Sequence, residues 1–156
     1  MLFRSFLRIG LPKFPEPADA LAGVILVLSA AGLVYGSLLA FRTSDLRGVI
    51  AYSSMAQMGL ITLGVFAFDD LGLNGAVLQS VAHGLISASM FLLVGMVERR
   101  CGTGELTALG GMARGRPVLA TIVIVAGMIA LAVPGSATFA GEFLIMAGVY
   151  DQGWGY

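Results

Sequence analysis

The residues from 71 to 97 decide the fold class, and they read LGLNGAVLQSVAHGLISASMFLLVGMV. This run contains no Asp, Glu, Lys or Arg. A helix of about 20 apolar residues crosses the hydrocarbon core of a bilayer, so the run is long enough to span a membrane. A membrane β-barrel would instead show alternating segments of about 10 residues. Because lipid offers no hydrogen-bond partners to the backbone, we expect this continuous run to be a helix.

Three further apolar stretches extend the pattern, at 20–41, 48–68 and 117–150. Every charged residue of the chain except Glu142 lies outside the four stretches. The chain is 58% hydrophobic and 12% charged, whereas a soluble domain carries about 25% charged residues. We therefore predict an all-α integral membrane protein with about four transmembrane helices, forming a single transmembrane domain over residues 1–156.

The last stretch is too long for one straight span and too short for two spans with a loop. Pro134 and Gly135 interrupt it, and proline removes a helix hydrogen bond and clashes with the preceding turn. We predict a discontinuous helix, with a first half at 118–133, a break near 134–140 and a second half at 141–150. Broken helices persist at membrane depth only where protein or a water-filled cavity satisfies the freed backbone, which points to transport.

The remaining segments suggest the orientation. Residues 1–19 are expected to be an amphipathic surface helix or the end of a preceding span, since arginines interrupt the apolar run at 2–11. If the spans alternate, the segments 42–47 and 98–116 lie on one side, with six of the nine basic residues. The positive-inside rule then favours the cytoplasm for that side, in a multi-pass protein of the cell inner (plasma) membrane.

Composition also excludes several kinds of partner and site. The formal net charge is zero, so the chain has no electrostatic footprint for nucleic acid. The single cysteine, Cys101, excludes a disulfide framework and a cysteine-based metal site. There is no glycine-rich phosphate loop and no paired histidine suited to haem, so any redox chemistry is expected to take place in another chain.

One span carries a histidine at its centre. Gln79, His83 and Ser87 follow one another at intervals of four, so they share a helix face. Histidine titrates near neutral pH, and an ionisable residue inside a span is a functional candidate by default. We predict that His83 relays protons, supported by Gln79 and Ser87. The alternative is that the three side chains form only an interhelical hydrogen-bond knot.

Glu142 is the one charged side chain within an apolar stretch. It follows the predicted break, so its carboxylate is expected near the free backbone amides of the second half-helix, which favour an anion. Thr138 precedes it by four residues and is expected to hydrogen-bond it. We predict that Glu142 holds and releases a proton. The alternative is a helix-capping acid near the membrane surface.

The second span begins with an unusual number of polar residues. Ser53 and Gln57 are four apart and are predicted to line a hydrated seam. Asp45 and Arg47 flank the start of this span, where helix capping and anchoring at the cytoplasmic side explain them simply.

Four segments resemble motifs of one family, in the same order. They are TSDLRGVIAYSSMAQMG at 43–59, GAVLQSVAHGL at 75–85, LGGM at 109–112 and VPGSATFAGEFL at 133–144. The family is that of the antiporter-like subunits of respiratory complex I and the Mrp cation/proton antiporters. Its M-type subunit is the most similar, because Glu142 stands where other subunits often have lysine.

The resemblance implies proton translocation driven by a redox reaction and relayed across a membrane arm. It carries proton-translocation roles to His83 and Glu142, with Arg47 as a third residue. Arg47 occupies the family's lysine position and Gly48 its following arginine, and an arginine that is always protonated suits an electrostatic role rather than proton release. NADH, FMN, iron–sulfur clusters and quinone would belong to other membrane-arm and peripheral subunits. The chain would thus be enzymatic only within an NADH:quinone oxidoreductase, with no cofactor and no redox site of its own.

The resemblance covers only a central to C-terminal part of longer family members. A Glu–Lys pair that the family uses lies upstream of that part, so the chain is expected to be a fragment. Two alternatives to the complex I role stay open. One is a subunit of an Mrp-type antiporter or a membrane-bound hydrogenase, and the other is a truncated membrane scaffold that transports nothing.

Overall fold

A computed structural model describes residues 15–111 and 113–153 of the chain. The segment predicted as a separate element at 1–19 lies mostly outside these residues, and its last part, from Pro15, belongs to the first helix. The described residues form α1 (Pro15–Arg42), α2 (Leu46–Val65), α3 (Asp70–Cys101), a short 3₁₀ helix (Leu106–Ala108), α4 (Pro117–Ala130) and α5 (Ala137–Gly153).

Three helices are long and apolar enough to cross a membrane, over Leu21–Arg42, Leu46–Val65 and Asp70–Cys101. The predicted uninterrupted spans are thereby confirmed. Carboxylates cap two of them: Asp45 Oδ2 accepts a hydrogen bond from the amide of Gly48 at 3.0 Å, and Asp69 Oδ2 accepts one from Leu71 at 2.9 Å. These contacts satisfy backbone N–H groups that have no partner within the helix.

The fourth apolar stretch is a discontinuous helix, as predicted, but its break lies earlier than predicted. The first half ends at Ala130 and the second begins at Ala137, rather than at 133 and 141. Ala132 has a φ of 51° and Gly135 a φ of 100°, so the chain leaves the helix before Pro134. Ser136 then accepts a hydrogen bond from the amide of Phe139 at 3.2 Å, which is a serine cap that restarts the helix at once.

The two apolar cores show which helices pack together. Ile61, Val65 and Phe66 at the end of α2 meet Ala76 of α3 and Ile145 of α5 in the larger one. The smaller core joins α3 to α4 and consists of Ile86, Leu93 and Ala126. The second half of the broken helix is therefore held by α2 and α3 together, whereas the first half rests on α3.

The connections after α1 and after α3 meet at one end of the helices. Asp45 and Glu105 form an isolated antiparallel β-bridge, with the Leu46 amide bonded to the Gly104 carbonyl at 3.0 Å. The amide of Leu106 donates to the carbonyl of Ser44 at 2.8 Å. The prediction that the segments 42–47 and 98–116 lie on the same side is confirmed.

The outer faces of the helices carry large apolar side chains. Val27 on α1 is 69% exposed, Leu85 on α3 is 69% exposed and Leu131 after α4 is 80% exposed. An exposed apolar surface of this extent on a single chain would be unfavourable in water. These faces fit lipid or further helices, in keeping with an integral, multi-pass membrane protein.

Candidate functional site: a polar stripe between α2, α3 and α5

Glu142 lies where α2, α3 and α5 meet, and it is held by two glutamine amides. Gln57 Nε2 on α2 donates to Glu142 Oε1 at 2.7 Å, and Gln79 Nε2 on α3 reaches the same oxygen at 3.4 Å. Gln79 Nε2 also donates to Gln57 Oε1 at 2.9 Å. The half-buried carboxylate has no Lys, Arg or His within ion-pair distance among residues 15–111 and 113–153. Neutral donors alone stabilise its charge.

Gln79 contacts both of the other residues in this arrangement. It is fully buried, and its Oε1 accepts no hydrogen bond from the described part of the chain. It faces Gly141 on α5, where a Cβ atom would lie 2.6 Å from Gln79 Oε1 and 3.0 Å from Gln79 Cα. Only glycine permits this approach, so Gly141 brings α5 close enough for the next residue, Glu142, to reach the glutamines.

Replacing Gly141 by alanine should separate α5 from α3 and disrupt the Gln79–Glu142 contact. Overpacking of this kind costs about 1–3 kcal/mol, so we expect a lower melting temperature of the purified protein. Gly84→Ala is the matched control, because nothing lies within 4 Å of a Cβ atom at that helical glycine. Equal melting temperatures for the two variants would show that the close contact at Gly141 is not needed.

One turn along α3 from Gln79, His83 joins a second polar group. His83 Nε2 lies 3.1 Å from Ser54 Oγ on α2, and Ser54 Oγ lies 2.9 Å from Ser87 Oγ. Gln79, His83 and Ser87 therefore all point at α2, which confirms the shared helix face. Which ring nitrogen of His83 carries the proton decides the direction of the bond to Ser54.

We call Ser54, Gln57, Gln79, His83, Ser87 and Glu142 the polar stripe. Its two groups follow one another along the α2–α3 interface, since Gln79 and His83 are four residues apart on α3. Four residues of helix rise about 6 Å. The stripe thus places two titratable groups, Glu142 and His83, about one helical turn apart in height.

Arg47 lies at the end of the same interface but outside the stripe. Its guanidinium forms an ion pair with Glu98 of α3, with Nη2 at 2.5 Å from Oε2 and Nε at 2.7 and 2.8 Å from the two carboxylate oxygens. Between this pair and Ser54 lie the buried apolar residues Ile50 on α2 and Val94 on α3. Among the described residues, Arg47 is thus tied to Glu98 at the loop end and does not join Glu142 or His83.

Ser53 and Gln57 both line one cleft, as the predicted seam requires. The cleft has a volume of about 400 Å³ and also has Ser37 of α1, Leu131 of the break and Glu142 in its walls. The hydroxyl of Ser53 donates to the carbonyl of Ile50 at 2.9 Å. The neighbouring residue Ser54, rather than Ser53, makes the contact with α3.

Thr138 does not donate to Glu142, contrary to the expectation from spacing. Its hydroxyl donates to the carbonyl of Ile129 at 2.6 Å, and its Oγ1 lies 2.8 Å from the hydroxyl of Ser136. The reason is that α4 ends without continuing, so its last carbonyls need partners, and Thr138 is buried beside them. Its role is to join the two halves of the broken helix.

The expected setting of Glu142 at the free amides of the second half-helix is also wrong. Because α5 begins at Ala137 and Ser136 caps it, Glu142 lies in the second turn. The amides of Gln57 and Gln79 take the place of the backbone amides. Two residues that contact these side chains were not predicted from the sequence. Ser54 shares a helix face with Gln57, three residues later, and Glu98 is 51 residues away from its partner Arg47 in the chain.

The stripe contains two groups that can bind a proton but offers no set of metal ligands among the described residues. Within the ranges that the structure describes, no group of three His, Cys, Asp or Glu side chains is placed to bind a metal ion. Amides and hydroxyls orient hydrogen bonds, whereas a carboxylate and an imidazole can each bind and release a proton. The chemistry that this arrangement supports is proton uptake and release.

Comparison with known proteins gives one consistent family. Residues 8–156 match the family model described as NADH:quinone oxidoreductase/Mrp antiporter, TM. The chain is 41% identical over 146 residues to NADH-quinone oxidoreductase subunit M of Rickettsia prowazekii, covering 94% of this chain and 30% of that protein. It is 37% identical over 148 residues to NADH-ubiquinone oxidoreductase chain 4 of Triticum aestivum, covering 95% of this chain and 30% of that protein.

A solved structure agrees with the sequence matches. A chain of respiratory complex I from Thermus thermophilus with bound NADH superposes with a TM-score of 0.92 at 32% identity. The match covers 96% of this chain and 32% of that one. The chain therefore spans about a third of the length of the relatives that it matches.

Proposed function

Because this chain belongs to the family NADH:quinone oxidoreductase/Mrp antiporter, TM, we propose that it serves as part of a membrane-arm subunit that translocates protons during quinone reduction. The observation that carries the proposal is Glu142, an acid inside an apolar segment that neutral amides hold between three helices. Leaving a carboxylate in such a place is costly, so the site suits a group that alternates between charged and neutral forms.

Each residue of the stripe has a distinct part in this proposal. Glu142 is the proton station, and Gln57 and Gln79 keep its Oε1 in one position whether or not the other oxygen carries a proton. His83 is the second station, with Ser54 and Ser87 orienting its ring. The glutamines do not titrate, so a proton passing between Glu142 and His83 changes the charge of those two groups only.

Arg47 has a supporting part. An arginine stays protonated throughout, so it cannot pass a proton on. Paired with Glu98 at the loop end, it fixes the register of α2 against α3 and hence the alignment of Ser54 with His83. Thr138 supports the site in the same indirect way, by holding α5 to the end of α4.

The remaining machinery would be supplied by partners. NADH, FMN, iron–sulfur clusters and quinone would be bound by other subunits of an NADH:quinone oxidoreductase, and the chain itself would contribute no cofactor. The other membrane-arm subunits and the lipid bilayer would be its partners. In a bacterial host the chain would then lie in the inner (plasma) membrane.

The proposal is tested with inside-out membrane vesicles from the host, with the gene deleted or restored. We expect NADH to acidify the vesicle interior, as reported by a pH-sensitive dye, only when the gene is present. NADH reduction of ferricyanide, which needs the peripheral subunits alone, is the matched control and should persist in both strains. A proton response to a sodium pulse without NADH would instead indicate an antiporter, and equal NADH-driven acidification in both strains would indicate a scaffold.

A further inference from the structure

An open groove runs between α3 and α4. At the loop end it forms a cleft of about 450 Å³, whose walls include Arg100 and Arg116. Deeper along the helices it continues as a cleft of about 510 Å³. The two clefts share Leu93, Met96 and Ile122, so together they form one channel-like surface, the α3–α4 groove.

The walls of the α3–α4 groove are apolar below the arginines. Leu92 is 71% exposed, Val118 is 71% exposed and Val125 is 49% exposed. Among the described residues of α4, only Ala126 is buried, so the two helices touch along a narrow line. From Arg100 to Ile86 the groove follows α3 for about 21 Å, against about 15 Å for one leaflet of the hydrocarbon core.

The loop end of the groove is built to receive a negative charge. The side chains of Arg100 and Arg116 are exposed and make no ion pair or hydrogen bond with any residue that the structure describes, in contrast to Arg47. A guanidinium presents a planar pair of donors that matches a phosphate. Helix α4 also begins here at Pro117, without a side-chain cap at Arg116, so its first amides point towards the same place.

From this geometry we infer that the α3–α4 groove binds one anionic phospholipid. Its phosphate lies between Arg100 and Arg116, and one acyl chain lies along the apolar walls. Charge complementarity selects the occupant, because the groove joins two arginines, which pair with none of the described residues, to an apolar slot longer than a leaflet. The lipid would complete the packing of α4, and this inference does not depend on whether the polar stripe moves protons.

The test uses the host complex reconstituted in phosphatidylcholine vesicles with a trace of photoactivatable phosphatidylglycerol, its diazirine on the acyl chain. We expect cross-links to Ser89, Leu92, Thr121 and Val125, mapped by mass spectrometry. A matched phosphatidylcholine probe should label these residues much less. The double change R100Q/R116Q should lower labelling by phosphatidylglycerol about 30-fold at limiting probe, because each arginine near an anionic lipid contributes a factor of about five.

Two controls separate the site from general effects. Arg42→Gln removes one charge from the same end of the helices but outside the groove, and it should leave labelling unchanged. Val125→Trp fills the groove without touching the arginines and should lower acyl-chain labelling in a complex that still assembles on native gels. Equal labelling by both probes, unchanged labelling in R100Q/R116Q, or cross-links from the groove to another protein helix in place of lipid would overturn the assignment.

Discussion

Replacing Glu142 by glutamine in the assembled complex should all but stop NADH-driven proton translocation. Glutamine matches glutamate in size, and its carbonyl oxygen can still accept the hydrogen bonds of Gln57 and Gln79. The substitution therefore removes only the ability of the side chain at position 142 to change its charge. A single acid–base group contributes roughly 10²–10⁴-fold to proton transfer, so a loss on the order of a hundredfold is the expected scale.

The matched control for this prediction is Glu142→Asp. Aspartate keeps the carboxylate but is one methylene shorter, so it cannot hold the 2.7 Å contact with Gln57 unchanged, and partial translocation is expected. Rates are compared at equal amounts of assembled complex, with dye-reported acidification as the readout. Normal translocation by the glutamine variant would remove Glu142 from the proton path.

The second large effect is expected at His83. His83→Ala should lower proton translocation by about tenfold or more, while assembly of the complex changes little. This loss reaches or approaches the lower end of the range of roughly 10²–10⁴-fold for one acid–base group. The alanine variant removes both a titratable ring and the partner of Ser54. It therefore cannot by itself distinguish a relay from a structural hydrogen bond.

His83→Gln makes that distinction. Glutamine can hydrogen-bond Ser54 but cannot gain and lose a proton near neutral pH. If His83 is a station, this variant is expected to be as defective as His83→Ala. Full rescue by glutamine would establish the alternative, a hydrogen-bond knot between α2 and α3. Ser54→Ala completes the set, and we expect it to have a smaller effect because the ring remains.

The spans were predictable because lipid imposes a simple constraint on sequence. A helix that crosses a bilayer excludes charge from the part that lies in the hydrocarbon core, so α2 and α3 could be found from the positions of Asp, Glu, Lys and Arg alone. The break at Pro134 was predictable for a similarly local reason. Its bounds were not, because Ser136 could be assigned to the break or to the cap of α5, and only the cap contact with Phe139 decides between them.

The site was predictable on each helix but not between helices. The spacing of Gln79, His83 and Ser87 places them on one face of α3, whatever they meet. Whether Ser53 or Ser54 faces His83 depends on the rotation of α2, which follows from packing with its neighbours. The ion pair of Arg47 with Glu98 depends likewise on the register of two antiparallel helices, which the local spacing of residues in the sequence does not reveal.

The apolar layer of Ile50 and Val94, between the ion pair and the polar stripe, has a consequence for energy conservation. A continuous chain of hydrogen-bonded polar groups that reached the loop end would let protons return across the membrane and dissipate the proton gradient. Ile50 is four residues from Ser54, so the layer is about 6 Å deep along α2. An ion in such surroundings costs about 3 kcal/mol on insertion scales, which slows passive leakage by roughly a hundredfold. If the polar stripe carries protons as proposed, these two buried side chains would limit leakage, and a polar residue at Ile50 would be expected to uncouple electron flow from the gradient even with Glu142 and His83 intact.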